Sequence, residues 1–284
     1  MPELPELEIV REVLKRRVVG RTIRQVTLAP KGGPLVVRDL TGRGFTVTLT
    51  GQLIAGVERR GKFLLFTFEG SPLLLVINPK LTGRLQLCAP AEKKVGPVHV
   101  TFGFADPPEE LRYIDAKLMG QVYLTETLAK IPTFDEMGPD ALSISPEDFS
   151  ARLRRFRGEI KGILVRAAFV AGIGNAYADE ILWNARLHPY RKRTSLSPEE
   201  IDRLYHAVGS TLREATIQVR QEMGDAIHLK PRDFFAVHMR PGEPCPRCGT
   251  SVSAITANQR ITNFCRTCQP GGLIRGMPAP PPPT

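Results

Sequence analysis

The sequence has no apolar run approaching the roughly 18 residues that a membrane span requires, and its mean hydropathy is slightly negative at -0.13. No membrane partner is expected. A secretory leader is not expected either, because the opening residues are acidic and carry no basic stretch. A cytoplasmic protein is the default expectation. Internal repeats are absent. Cysteine is scarce, five in 284 residues, and four of the five fall into close pairs that argue for a metal over the disulfides of a secreted protein.

What is present in quantity is positive charge. The formal net charge is +10 and the isoelectric point about 9.6, a balance that favours a polyanionic partner through long-range attraction and counterion release. Basic proteins with merely solvated Lys and Arg faces show the same balance. The charge is also concentrated: Arg152, Arg154, Arg155, Arg157, Lys161 and Arg166 crowd one segment against a single acid, Glu159. The length suits two domains, and 42% hydrophobic residues supply ample core.

Along the chain, Leu7, Val10, Val13 and Leu14 are spaced for an amphipathic helix over Glu6–Val19, ended by Gly20. Short β-rich runs follow, at 22–28, 45–50, 52–59, 63–69, 73–77, 84–87, 98–104 and 121–125. Their Gly and Pro punctuation predicts a sandwich or barrel. From Ile131 the character changes. Pro132, Gly138 and Pro139 mark a linker, and helices are predicted after the start signals Ser145-Pro146 and Ser197-Pro198. Further helices are predicted over 160–168 and 175–185, separated by Ala171-Gly172-Ile173-Gly174. The tail beyond Arg275 is Pro-rich and is expected to be disordered.

The motif with the clearest chemistry is the pair Cys245/Cys248 and Cys265/Cys268, separated by sixteen residues. Two close pairs of thiolates close a tetrahedral zinc site, and the spacing is that of a zinc ribbon. One structural Zn2+ per chain is expected, with all four positions filled by protein. A redox dithiol is the alternative. Cys88 stands alone and is expected to be a buried apolar residue. Gly172-Ile173-Gly174-Asn175 before a helix offers an anion site at the helix N-terminus, or a plain glycine connector capped by Asn175. Taken alone, Arg260 reads as a solvated arginine and Lys62 as a surface lysine.

Taken together, the opening PELPELE, RRGKFLL at Arg59–Leu65, GIGNAYADE at Gly172–Glu180, GEPCPRCG and QRITNFCRTCQ resemble the formamidopyrimidine-DNA glycosylase/endonuclease VIII family, in the correct order across nearly the whole chain. The resemblance implies an α+β fold. It comprises an N-terminal β-sandwich with an N-terminal helix over 1–131, a helix–two-turns–helix domain over 132–240, a zinc ribbon over 241–272 and a disordered tail over 273–284. It implies DNA bound between domains, damaged double-stranded DNA as partner to a monomer associated with the nucleoid, and a base-excision glycosylase with abasic-site lyase activity.

The resemblance also assigns roles. Removal of Met1 would expose the secondary amine of Pro2, which attacks the anomeric carbon, displaces the base and forms an iminium. Without the matched motif, Pro2 would read simply as a stable N-terminus. Glu3 manages protons at the sugar, with Glu6 in support. Lys62 serves lesion excision and β-elimination. Arg260 clamps phosphate and takes part in δ-elimination, its guanidinium fork suiting two phosphate oxygens. Asn175 holds a phosphate beside the lesion, and Lys161 is a further DNA contact. The target nucleotide is expected to be flipped out of the duplex.

The lesion-reading segments depart from the family. Where members that excise 8-oxoguanine carry His-Leu-Gly-Met and Asp-Pro-Arg-Arg-Phe-Gly, this chain has Asn78-Pro79-Lys80-Leu81 and Asp115-Ala116-Lys117-Leu118-Met119-Gly120. Leu81 still offers an apolar wedge, and Lys117 keeps a charge without the planar fork. Residues 224–240 lack the long Gly-rich loop of typical members and in this resemble endonuclease VIII, whose substrates are oxidised pyrimidines. An abasic-site lyase with weak base excision and a non-enzymatic DNA-binding protein of the same fold are the alternatives. The joint presence of Pro2, Glu3, Lys62 and Arg260 counts against the second.

Overall fold

The protein is described from a computed structural model over residues 1–257 and 260–271; the tail expected over 273–284 lies outside the described residues. In chain order the elements are α1 (Leu4–Val18), β1 (Ile23–Leu28), α2 (Gly33–Val36), β2 (Val37–Asp39), α3 (Phe45–Leu49), β3 (Ile54–Arg60), β4 (Phe63–Phe68), β5 (Ser71–Asn78) and β6 (Gly83–Cys88). They continue with β7 (Val98–Phe104), β8 (Glu109–Asp115), β9 (Gln121–Thr125), α4 (Pro146–Arg154), α5 (Ile160–Leu164), α6 (Asn175–Asn184), α7 (Pro198–Met223), β10 (Ser253–Ala257) and β11 (Arg260–Phe264). The mixture is α+β. Two compact units result, Met1–Glu136 with Thr216–Pro231, and Met137–Ala215 with the residues from Arg232 on.

In the first unit α1 forms because Leu7, Val10, Val13, Leu14 and Val18 bury one stripe. Lys15, Arg16 and Arg17 sit in the last turn, where the helix dipole favours cations. Gly20 ends it at φ +80, the left-handed geometry that costs glycine nothing. The helix packs on β3 and β4. The strands make a β-sandwich, one sheet ordered β1-β7-β8-β6 and the other β2-β9-β5-β4-β3. Phe66 and Phe102, both about 1% exposed, are among its largest core side chains, each worth roughly 1.5–3 kcal/mol when removed from water.

One expectation from the sequence fails here and one strand was missed, both for physical reasons. The run 45–50, read as a strand from its Thr and Val content, is the short helix α3. Gly44 at φ +93 reverses the chain, Thr48 N donates to Gly44 O at 3.0 Å, and Phe45 and Leu49 bury together while Val47 stays 78% exposed. The period is four, and β-propensity yields to packing. Strand β8 was not foreseen because charged residues at both ends and in its middle break up its apolar run, although its last five residues are all buried. Arg112 is nevertheless 2% exposed, its guanidinium donating to Glu92 O at 2.8 Å and Pro90 O at 2.7 Å.

In the second unit α4 begins where the sequence signalled, with Ser145 Oγ accepting from Asp148 N at 3.1 Å. The segment expected to be helical over 160–168 stops at Leu164, the chain turning through Val165 and Arg166 with hydrogen bonds back to Lys161 O and Ile163 O. Gly174 is the N-cap of α6, so the glycine connector delivers the chain to that helix's first turn. Strands β10 and β11 form an antiparallel hairpin. Ser145→Ala should lower stability by about 1 kcal/mol through loss of the cap. Thermal unfolding should show this as a shift of roughly 2–4 °C, and an unshifted transition would contradict the capping role.

Candidate functional site

The site in the first unit starts from the way α1 is held at its beginning. Glu3 is its N-cap and Pro5 lies in its first turn. Glu3 N donates to Glu6 Oε2 at 2.8 Å, the reach-back half of a capping box. Both carboxyl-bearing residues are buried, Glu3 to 2% and Glu6 to 1% exposure. Pro2, half-buried, lines a cavity with Glu6, Pro79, Gly83, Arg84 and Leu85, and Met223, Ile227 and Leu229 supply further apolar wall. The structure thus sets Pro2 and Glu6 beside the turn that carries Leu81.

Lys62 occupies the two-residue turn between β3 and β4, where Arg60 pairs with Phe63 and Gly61 takes φ +56. That turn is tied to α1. Arg59 Nε donates to Glu8 Oε2 at 2.6 Å, and Arg59 Nη1 to Gly61 O at 3.1 Å. Burial pushes the Glu8 carboxyl up, but hydrogen bonds from Arg11 and Arg59 outweigh it and hold the group below the usual carboxylate range. Glu8 and Arg59 were not singled out in the sequence, although RRGKFLL contained the arginine. Charge alone does not reveal which acid it meets.

The two departing segments form adjacent turns. Leu81 is 45% and Met119 47% exposed, and Lys117 is exposed. Lys117 N donates to Thr82 Oγ1 at 3.1 Å, so the turns are in direct contact.

In the second unit the four cysteines converge. Their Sγ atoms lie within 4.8 Å of one another, with Cys248–Cys265 at 3.4 Å and Cys245–Cys268 at 3.9 Å. Tetrahedral zinc with Zn–S bonds of about 2.3 Å requires sulfurs about 3.8 Å apart. The donors therefore fit zinc, and the site is structural because thiolates fill every position. Trp183 Nε1 donates to Cys245 Sγ at 3.3 Å, an outer-shell contact that orients the ligand. Burial raises Cys265 to about 12 and Cys268 to about 11. At Cys248 the hydroxyl and amide of Thr250 overcome burial and lower the thiol to about 6. Cys88 is buried, as expected.

The hairpin between the two cysteine pairs carries Arg260, exposed at the start of β11. It is docked on α5 and α6. Asn175 Nδ2 donates to Ile261 O at 2.8 Å, and Arg260, Asn175, Lys161, Glu159, Tyr190 and Thr262 line one open cavity. Lys161 lies deeper in this cavity than Arg260. Expected as a DNA contact, it is only 6% exposed. Its ammonium pairs with Asp179 Oδ1 at 2.7 Å and donates to Thr262 Oγ1 at 2.8 Å and Ile261 O at 3.1 Å. These internal partners hold it in the protein, where it fixes the strand that bears Arg260.

The residues after α7 join the same network. Asp179 Oδ2 accepts from His238 Nδ1 at 2.8 Å and Asn263 N at 3.2 Å. Glu180 accepts from the backbone of Ala236, Val237 and His238 at 2.8, 3.0 and 2.7 Å. Burial pushes its carboxyl up, against the lowering effect of those three amides. Asp179 and Glu180 lie inside GIGNAYADE, but that motif carries no sign of their partners after α7, which are 56 to 84 residues away.

One zinc per chain is expected on metal analysis. Cys268→Ser or chelation should weaken DNA binding by loosening the hairpin that carries Arg260; fully active protein without zinc would contradict the assignment.

Comparison with known proteins agrees with this arrangement. Residues 1–122 match the formamidopyrimidine-DNA glycosylase N-terminal domain, 137–225 its H2TH domain, and 242–271 the zinc finger found in FPG and IleRS. The formamidopyrimidine-DNA glycosylase of Symbiobacterium thermophilum is 37% identical over 95% of this chain and 90% of its own length. That of Geobacillus kaustophilus is 35% identical over 95% and 100%. Among solved structures, MutM in complex with carbocyclic 8-oxo-G containing DNA superposes with a TM-score of 0.82 at 31% identity, covering 94% of this chain and 99% of that one. Lactococcus lactis Fpg with an abasic site containing DNA gives 0.81 at 30% identity, with the same coverage. The chain therefore belongs to the formamidopyrimidine-DNA glycosylase family, base-excision DNA glycosylases with abasic-site lyase activity.

Proposed function

We propose that Pro2 is the nucleophile of this glycosylase and lyase, acting on oxidised or ring-opened bases in double-stranded DNA. The observation that carries the reading is the buried Glu3–Glu6 cap, which fixes the start of α1 and leaves Pro2 on a cavity wall. With Met1 removed, the Pro2 nitrogen is an α-amino group with an ordinary pKa of roughly 8, so a useful fraction is neutral near pH 7. Its lone pair attacks C1′ of the sugar. The glycosidic C–N bond breaks and the base departs with its bonding electrons and a proton. Glu3 protonates the ring oxygen, the C1′–O4′ bond opens, and an iminium links Pro2 to C1′.

Loss of a C2′ proton then expels the 3′ phosphate, and a further elimination expels the 5′ phosphate. Lys62 handles protons in the first elimination. Arg260 binds phosphate and assists the second, and Asn175 binds phosphate beside the lesion. Zinc shapes the hairpin that presents Arg260. The protein acts in this reading as a monomer on chromosomal DNA in the cytoplasm. Intact mass should show loss of one methionine, and borohydride should trap a covalent complex with an abasic duplex. Pro2→Gly should trap poorly; full trapping after the N-terminal amine is acetylated would overturn the assignment.

Leu81 takes the place of the extruded nucleotide, with Lys117 and Met119 facing the orphaned base. Leu81 and Met119 have no polar group for a base edge, and one flexible ammonium lacks the fixed fork that discriminates. Weak opposite-base preference and a lesion range extending to oxidised pyrimidines follow. Excision of one lesion opposite each of the four bases should vary little in the parent and more in Lys117→Arg. Strong preference of the parent for 8-oxoguanine opposite cytosine would contradict this.

A further inference from the structure

Strands β5 and β8 end in two turns, Asn78–Gly83 and Asp115–Gly120, whose tips carry Leu81, Lys117 and Met119. Exposed apolar and charged side chains on turns are ordinarily mobile. These turns are not ordinary. Lys80 at φ +48 and Leu118 at φ +54 adopt left-handed backbone without being glycine, a geometry that persists only where surrounding contacts impose it.

The contacts converge on one carboxylate. Asp115 is fully buried. Its Oδ1 accepts from the Thr82 hydroxyl of the first turn and from Lys117 N of the second at 3.1 Å. Its Oδ2 accepts from Gly120 N at 2.7 Å and from the Tyr113 hydroxyl at 3.3 Å. Thr82 Oγ1 in turn accepts from Lys117 N, and Asn78 Oδ1 from Lys80 N at 3.2 Å. The space around this carboxylate is closed to side chains: a Cβ on Gly120 would meet Tyr113 Oη at 1.8 Å, and one on Gly83 would meet Pro79 O at 2.4 Å and Tyr113 Oη at 2.6 Å.

The geometry points to Asp115 as a positioning residue that latches the two turns into one rigid platform, so that Leu81 enters the duplex on a preorganised backbone. This rests on the reading of Leu81 as the wedge. A buried carboxylate suits the task because it only accepts, and every group aimed at it donates. Rigid support matters for a wedge, since holding a side chain in its productive place before contact removes the ordering cost at the moment of extrusion. The latch should matter most where a stacked base must be expelled and least at an abasic nucleotide, whose extrusion costs least.

The experiment compares single-turnover base excision and abasic-site cleavage in Asp115→Asn, Thr82→Val, Leu81→Ala and the double variant Leu81→Ala/Asp115→Asn. In Asp115→Asn an amide N–H must face a donor, and in Thr82→Val the bond between the turns is lost. Each should slow base excision about tenfold while the loss at an abasic site stays near twofold. The double variant should be no slower than Leu81→Ala alone, because the latch acts through the wedge. Should Asp115→Asn fail to fold, Thr82→Val carries the same comparison. Equal losses on both substrates, or a further tenfold loss in the double variant, would overturn the latch. Parental rates in Asp115→Asn and Thr82→Val beside an impaired Leu81→Ala would overturn it while leaving the wedge intact. A parental rate in Leu81→Ala would instead remove the wedge reading, and the latch with it.

Discussion

Chain termini fray because few contacts hold them, and a nucleophile at a terminus is useful only if that freedom is removed. The reach-back bond from Glu3 N to Glu6 Oε2, made by two buried acids at the start of α1, does this here. The helix is secured in turn by its apolar stripe on β3 and β4 and by the Glu8–Arg59 pair, which also anchors the turn bearing Lys62. Electrostatics and packing reinforce each other at the place where the proposed chemistry begins.

The second unit solves a different problem with similar means. A two-stranded hairpin is marginal by itself in water, yet the proposed phosphate-binding Arg260 stands at the start of one of its strands. Zinc closes one end through four cysteines. On the α6 side, Asp179 gathers Lys161, His238 and the Asn263 amide, so the strand after Arg260 is pinned by buried charge-assisted hydrogen bonds. Removing one partner from such a network strands the others in low dielectric, which is why Lys161 matters to the placement of Arg260.

Much of this was legible in the residues. Spacing revealed α1, the Ser145 cap and the zinc ribbon, because each depends on residues close in sequence. The Phe45–Leu49 helix was not legible: its Thr and Val content favours a strand, and only the burial of Phe45 with Leu49 decides the matter. Strand β8 was hidden by Arg112, a charged residue buried through long-range carbonyl partners. Asp115 and Asp179 were equally opaque as organisers. An aspartate advertises its charge in a sequence but not the donors that folding brings to it.

In the proposed reaction the N-terminal amine, and no lysine, forms the covalent link to DNA. The most direct measurement is to trap the complex with borohydride on an abasic duplex, digest it, and locate the deoxyribose remnant by tandem mass spectrometry. A single modified peptide is expected, beginning at Pro2 and carrying the adduct on its α-nitrogen. An adduct on Lys62, or on any other lysine, would contradict it.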